Sequence, residues 1–334
     1  MRGHDIVVIG ASAGGVEALA ALAAGLPEHL PAAVFVVVHF PSFSQSVLPR
    51  ILSRAGPLPA AHAEDGEEIH PGRIYVAPPD RHLLVRRGRV RVVRGPSENG
   101  HRPAVDPLFR TAARAYGPRV VGVVLTGNLD DGTAGLVAVK RQGGVSVVQH
   151  PDDALYDGMP TSALRGAPVD HVLPVSEIAS LLVRLARTHV EAGREPPVDY
   201  DVEEEADVAE MRPEALFVDE RPGEPSGFTC PECHGAVWET EDDGVLRFRC
   251  RVGHAYSPEN MVADQGRDVE AALWIAFRAL RERSALCRRV YERMSGRGQD
   301  TLAARYRDEA ADAERKAVLL RGVLMRGTEA AATD

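Results

Sequence analysis

From residue 5 to about residue 187, short apolar runs alternate with longer stretches in which apolar residues recur at helical spacing. Residues 6–9, 34–38, 120–125 and 145–148 are dominated by β-branched side chains and bounded by Gly, Pro or polar residues. Continuous apolar strands separated by helix-length segments predict a parallel sheet covered on both faces. The expected fold class is therefore α/β: a doubly wound, mostly parallel, Rossmann-like sheet over residues 1–190. Helices are predicted at 15–24, 46–54, 107–115, 132–141 and 176–187. In the second, Ser46 is the expected N-cap and Pro49 falls in the first turn, where a missing N–H is tolerated. Residues 82–93 read as a hairpin turning at Arg87-Gly88.

Past residue 190 the texture changes. Residues 191–226 carry Glu203-Glu204-Glu205 and Pro196, Pro197, Pro213, Pro222 and Pro225. Such a segment offers little apolar surface to offset ordering entropy, so an acidic, Pro-rich linker is expected. A compact Cys/His module follows at 227–262. The stretch 266–328 holds two helical patterns broken near Ser295-Gly296-Arg297-Gly298, which predicts an antiparallel helical hairpin.

Composition narrows the function classes. The formal net charge of −9 argues against a general nucleic-acid binder, which needs a basic surface to displace counterions. No apolar run approaches the roughly 20 residues of a membrane span, and no signal-peptide pattern precedes the first strand, so a cytoplasmic protein without membrane insertion is expected. The four cysteines fit metal ligation plus one spare thiol, Cys287, better than a disulfide framework.

The first strand runs into Gly10-Ala11-Ser12-Ala13-Gly14-Gly15 and then a helical pattern. This is G-x-S-x-G at a strand-to-helix turn, which lifts a serine hydroxyl out of the sheet. The helix start beside it, from the Ala13 N–H onward, offers donors for a developing oxyanion. The competing reading is a dinucleotide phosphate loop. That reading wants G-x-G-x-x-G and an acid at the end of the second strand, and here that strand ends in His39. Ser12 and His39 leave successive strands at one sheet edge, which suits a nucleophile and its general base. An orienting carboxylate is expected after the third apolar strand, where Asp130 and Asp131 precede Gly132. Capping of the following helix is the competing role for either acid.

The stretch from Ile6 through Gly10-Ala11-Ser12-Ala13-Gly14-Gly15 to Leu19 resembles the opening of the CheB methylesterases of bacterial chemotaxis. Tyr75-Val76-Ala77-Pro78, His101-Arg102-Pro103-Ala104-Val105-Asp106-Pro107, Leu125-Thr126-Gly127-Asn128-Leu129-Asp130-Asp131-Gly132 and Met159-Pro160 are similar to that family's other landmarks, in order, over residues 5–188. The resemblance implies hydrolysis of glutamyl methyl esters on a chemoreceptor-like protein, glutamine deamidation as a companion activity, and no cofactor for catalysis. It makes Ser12 the nucleophile, His39 the base and Asp131, not Asp130, the orienting acid, with the Asn128 N–H as an oxyanion donor. Asn128 stands where the family usually has Met, and Leu129 where Gly is common. His101 and Met159 are expected to line the substrate cleft, and His82 to be structural. The family usually carries an N-terminal receiver domain. This chain starts at the catalytic strand, so the expectation is either that another domain or partner controls it or that it is unregulated by phosphorylation. A non-catalytic receptor-binding scaffold with the same fold is the alternative.

In the module, Cys230-Pro231-Glu232-Cys233 is followed by Cys250 and then His254. A C-x2-C and a C-x3-H pair flanking a hairpin suit structural tetrahedral Zn²⁺ in a zinc-ribbon-like unit. His234 is a rival ligand made awkward by its adjacency to Cys233. In the tail, Val269, Leu273, Ala276 and Leu280 recur at helical spacing, as do Leu302, Tyr306, Ala310 and Ala313. They predict a self-packed hairpin, with self-association or receptor docking as the sharper alternative.

Overall fold

The computed structural model describes residues 3–40, 46–190, 206–212, 215, 223–242 and 245–330. The strand-rich region folds as β1 (Ile6–Ala11), α1 (Gly15–Ala24), β2 (Ala33–Val38), α2 (Leu48–Ala55), β3 (Ala60–His62), β4 (Ile74–Val76), β5 (His82–Arg86) and β6 (Arg89–Val93). It continues through α3 (Val105–Tyr116), β7 (Val120–Val124), α4 (Thr133–Arg141), β8 (Val145–Gln149), α5 (Gly158–Gly166), β9 (His171–Leu173) and α6 (Val175–Arg187). Seven strands form one sheet in the order β3-β4-β2-β1-β7-β8-β9. Every neighbouring pair in it is parallel.

The expected doubly wound sheet is thus present. The strands β3, β4 and β9, of three residues each, are too short to display a period, and the structure adds them and the helix α5 to the predicted elements. Alternation along the strands divides the core in two. Val7, Ile9, Val34 and Val36 pack with α1, α2 and α6 on one face. Val8, Phe35 and Val37 pack with α3, α4 and α5 on the other. β5 and β6 form the expected separate hairpin. α2 begins two residues past Ser46, whose hydroxyl accepts the Leu48 N–H at 3.4 Å, so Ser46 is not the N-cap.

The Cys/His module is a four-stranded antiparallel sheet of β10 (Glu224–Thr229), β11 (Ala236–Asp242), β12 (Val245–Cys250) and β13 (Ala255–Tyr256). It belongs to one compact unit with the α/β domain, Met1–Met261. Part of the expected linker behaves differently from a solvated tether. Residues 206–210 carry a helical turn in which Ala206, Val208 and Ala209 are buried. Glu210 in that turn pairs with Arg86 and with Arg114, the latter at 2.6 Å. Its acids find arginines on β5 and α3, and this complementarity, which composition does not reveal, offsets the ordering cost. Residues 191–205 lie outside those described.

The second unit, Val262–Asp334, contains most of α7 (Pro258–Ser295) and all of α8 (Asp300–Ala330). The two helices pair antiparallel as expected: Ser284 donates to the Ala310 carbonyl and Arg288 meets Glu314. The seam is set by Ser284 and Cys287 against Ala303, Ala310, Ala313 and Ala317. Val269 lies off it and is 61% exposed, contrary to its predicted place on the inner stripe. Leu302, on the predicted stripe of α8, is likewise 40% exposed, whereas Ala310 and Ala313 of that stripe are buried.

Phe109 in α3 is fully buried in the second face of the core. Phe109→Ala is expected to cost about 3–5 kcal/mol through lost transfer energy and the cavity left behind. Chemical denaturation followed by circular dichroism checks this.

Candidate active site and the adjoining metal cluster

β1 lies at the point where the sheet is wound in both directions: β2 and β4 go to one side, β7 and β8 to the other. Loops at the carboxyl ends of such central strands form the binding crevice of open α/β sheets. Ala11, the last residue of β1, is in register with Val38, the last of β2, and the His39 N–H bonds the Ala11 carbonyl at 3.3 Å. On the other side, the Ser12 N–H donates to the Thr126 carbonyl at 3.0 Å, just past β7. Ser12 therefore sits between the ends of β2 and β7. Gly14, at φ 72°, turns the chain into α1 directly beyond it.

Asp131 reaches this edge from the loop after β7. His39 Nε2 lies 2.8 Å from Asp131 Oδ2, with both side chains almost wholly buried. An ionised carboxylate only accepts, so Nε2 carries the proton and Nδ1 keeps the lone pair. His39 Nδ1 is buried and makes no hydrogen bond among the described residues. The His101 ring stacks on His39 with centroids 3.8 Å apart, fixing the plane of the imidazole.

The Asp131 carboxylate is saturated. Oδ2 also accepts the Val105 N–H at 2.7 Å, and Oδ1 accepts Asn99 Nδ2 at 2.9 Å and the Asp106 N–H at 3.2 Å. Burial alone would raise its pKa, but the bond and charge of His39 and the Val105 N–H outweigh that, holding the group well below the usual carboxylate range. Asp106 moves the other way, pushed up to about 7 by burial and by the Asp131 charge. The pair thus concentrates its negative charge on Asp131.

Neither Asp130 nor Asp131 caps α4 through its side chain. The N-cap is Gly132, at φ 99°, and Asp106 Oδ1 accepts the Gly132 and Gly135 N–H groups at 3.0 and 2.7 Å. A cap delivered from α3, 26 residues earlier in the chain, has no local sequence signature. Asp130 instead accepts the Ser257 hydroxyl at 2.8 Å and the Asn260 amide. Asn99, which bridges Asp106 and Asp131, is a further site residue that sequence reasoning missed. Its only local signal was the Asn99-Gly100 turn dipeptide.

Gly127 approaches closely: a Cβ there would stand 2.8 Å from Ser12 Cβ and 2.2 Å from Met159 Sδ. Met159 therefore packs beside the serine, itself fully buried in the second face of the core. The Gly127 N–H is taken by the Tyr156 carbonyl, whereas those of Ala13 and Asn128 make no backbone hydrogen bond among the described residues. Leu129 adopts φ 61°, the conformation for which Gly would be the easier residue. His82 is fully buried between the Pro96 carbonyl and the Ala104 N–H, a structural role as expected.

The CheB methylesterase model matches residues 7–182 of this chain. The chain belongs to that family. It is 42% identical over 186 residues to protein-glutamate methylesterase/protein-glutamine glutaminase 5 of Anaeromyxobacter dehalogenans, covering 54% of this chain and 51% of that protein. It thus spans about half the length of that relative. With a putative enzyme of the same name from Leptospira interrogans it shares 38% identity over 189 residues, 56% of this chain and 98% of the other. The crystal structure of the Thermotoga maritima CheB methylesterase catalytic domain superposes with TM-score 0.53 at 36% identity, covering 55% of this chain and all of that one. The CheB-like part is therefore the α/β domain, and the Cys/His module and helical hairpin lie beyond it. No helix among the described residues is long and apolar enough to cross a membrane.

In the module, Cys230, Cys233, Cys250 and His254 gather their ligand atoms within 4.8 Å of one another. Cys233 Sγ is 3.6 Å from Cys250 Sγ, and His254 Nδ1 lies 3.6 and 3.5 Å from the sulfurs of Cys230 and Cys250. His234 is outside the cluster. Glu232 approaches the other ring nitrogen of His254 at 3.3 Å, the carboxylate support that ligating imidazoles usually have.

Asp130 yields a pH prediction. Burial and the nearby Glu259 charge raise it to about 6 against the Ser257 bond. A raised acid folds most favourably when protonated, so its contribution is lost as pH climbs from the ordinary carboxylate range through about 6. Asp130→Asn should remove that loss. Between pH 4 and pH 7, the stability of wild type relative to the variant is expected to fall by roughly 2 kcal/mol, read by urea denaturation at each pH.

Proposed function

We propose that this chain is a serine hydrolase that removes methyl esters from glutamate side chains of a chemoreceptor-like protein, with glutamine deamidation as its companion reaction. Ser12 is the nucleophile, His39 the base and then the acid, and Asp131 the group that orients the imidazole. The observation that carries the reading is the 2.8 Å bond between His39 and Asp131, with the buried Nδ1 unpartnered among the described residues at the strand end next to that of Ser12. Both activities appear in the names of the relatives.

In this reaction the Ser12 hydroxyl attacks the ester carbonyl while His39 Nδ1 takes its proton. The Ala13 and Asn128 N–H groups receive the negative oxygen. Collapse breaks the ester C–O bond, and the proton on Nδ1 goes to the departing methoxide, giving methanol and a glutamyl-serine ester. Water then enters, is deprotonated by the same nitrogen and releases glutamate. For glutamine the leaving group is ammonia. Asp131 stays ionised throughout, offsetting the imidazolium charge formed twice per cycle.

The Cys230, Cys233, Cys250 and His254 set holds structural zinc. Around tetrahedral Zn²⁺ with bonds of about 2.3 Å the ligand–ligand edge is about 3.8 Å. The separations of 3.5–3.6 Å fit that size. Three thiols kept as metal ligands suit a cytoplasmic setting.

Ser12→Ala is expected to lower methanol release from methylated receptor helices roughly a million-fold. Asp131→Asn should lower it about ten-thousand-fold through loss of the correct tautomer. Release by Ser12→Ala at the wild-type rate would remove the serine from the mechanism. Elemental analysis of purified protein should find about one zinc per chain, and Cys233→Ser should lose it.

A further inference from the structure

The Cys/His module touches the proposed active site through a short, continuous path. Its last ligand, His254, is followed directly by β13. The Ala255 carbonyl accepts the Asn99 N–H at 2.7 Å, and the Ser257 N–H donates to Asn99 Oδ1 at 3.0 Å. Asn99 is thereby held at both its backbone and its side-chain oxygen by residues one and three positions past a metal ligand. The amide end then has no choice of direction. Asn99 Nδ2 donates to Asp131 Oδ1 at 2.9 Å and to Asp106 Oδ2 at 3.1 Å. Asn99 is 1% exposed, so no water competes for these bonds.

The surroundings of this path are rigid. Glu98 is buried and bonded to Arg110 of α3 at 2.7 Å and to Arg247 of β12 at 3.2 Å, tying the two domains through one carboxylate. Gly253 packs against Pro96, where a Cβ would meet the proline ring at 2.8 Å. Tyr256, fully buried, places its hydroxyl 3.5 Å from Cys230 Sγ. β13 is therefore clamped between the ligand cluster and the loop that carries Asn99.

We propose that Asn99 is a positioning residue for Asp131, and that metal bound to the Cys230–Cys233–Cys250–His254 set fixes Asn99 by holding β13 in place. The inference rests on the serine-hydrolase reading for its consequence, not for its geometry. Loss of the metal unfolds a module too small to stand without it. β13 then releases Asn99, Asp131 loses a donor, and the His39 ring loses its fixed partner. The esterase responds in this way to metal loading at a site that takes no part in the chemistry.

The test uses the full chain with its zinc and after chelator stripping. Asn99 lies at φ 54°, which glycine and aspartate accept with little strain. Asn99→Gly therefore removes the amide without disturbing the backbone, and Asn99→Asp replaces a donor by a titratable group. The readouts are the labelling rate of Ser12 by a fluorophosphonate and the low-field proton resonance of His39 Nε2–H. With zinc bound, Asn99→Gly should label roughly 10- to 100-fold more slowly, the worth of one hydrogen bond to a charged acceptor. It should also broaden or shift the resonance while keeping its zinc. Relative to wild type, Asn99→Asp should recover as pH falls, when its carboxylic acid regains a proton to donate. Stripping zinc should slow wild type at least as much, and Asn99→Gly by a smaller factor, because the two changes act on one contact. Equal slowing of both proteins by chelation, or a zinc-loaded Asn99→Gly with wild-type labelling and resonance, would overturn the proposal. If even wild type does not label, the hydrolase reading fails. The resonance then still decides the positioning role: its loss in Asn99→Gly supports it and its persistence refutes it.

Discussion

A carboxylate buried at the edge of a sheet is costly unless every lone pair is used, and the arrangement around Asp131 answers that requirement. Its two oxygens take four donors from four residues: the His39 ring, the Asn99 amide and the Val105 and Asp106 N–H groups. Each donor comes from a different part of the chain or a different bond of α3, so the charge organises the loops around it. An uncompensated buried charge costs far more than any one of these bonds contributes. The neighbouring Asp106 shows the same constraint from the other side. Held beside a charge that will not move, it is pushed toward the neutral form, while its Oδ1 satisfies the start of α4.

This saturation bears on the chemistry. A histidine whose Nε2–H is committed to a fixed carboxylate has one tautomer, and its basic atom is Nδ1. Stacking of His101 restricts rotation of the ring, so little reorganisation is left for the moment of reaction. Gly127 leaves room for Met159 and Ser12 to approach each other, since a Cβ there would meet both.

The module beyond the CheB-like region is part of the same compact unit and not a tethered appendage. Its contacts are polar and buried: Glu98 with Arg110 and Arg247, Asn99 with β13, and Asp130 with Ser257 and Asn260. Such contacts are specific in geometry and unforgiving of loss, because either partner left alone is a buried unpaired group. Asp130, next to the proposed catalytic acid, thus has its hydrogen-bond partners in residues that lie beyond the CheB-like domain.

Much of this was legible in the chain. Runs of β-branched residues separated by helical periods determine a parallel sheet, since only strands buried on both faces are apolar throughout. The G-x-S-x-G turn, the histidine closing the second strand and the C-x2-C and C-x3-H spacings are local, and local chemistry can be read directly. Tertiary structure alone decided what the acids do. Asp106 caps a helix whose N-cap lies 26 residues later, and Asp130, adjacent to the orienting acid, serves the module instead. Asn99 joins two carboxylates that no spacing rule connects. An apparent linker segment docks because its Glu210 meets Arg86 and Arg114. Hydrophobic periodicity reports which face of an element is buried, but the partner of a buried charge is chosen by proximity in space, which the order of residues does not encode locally.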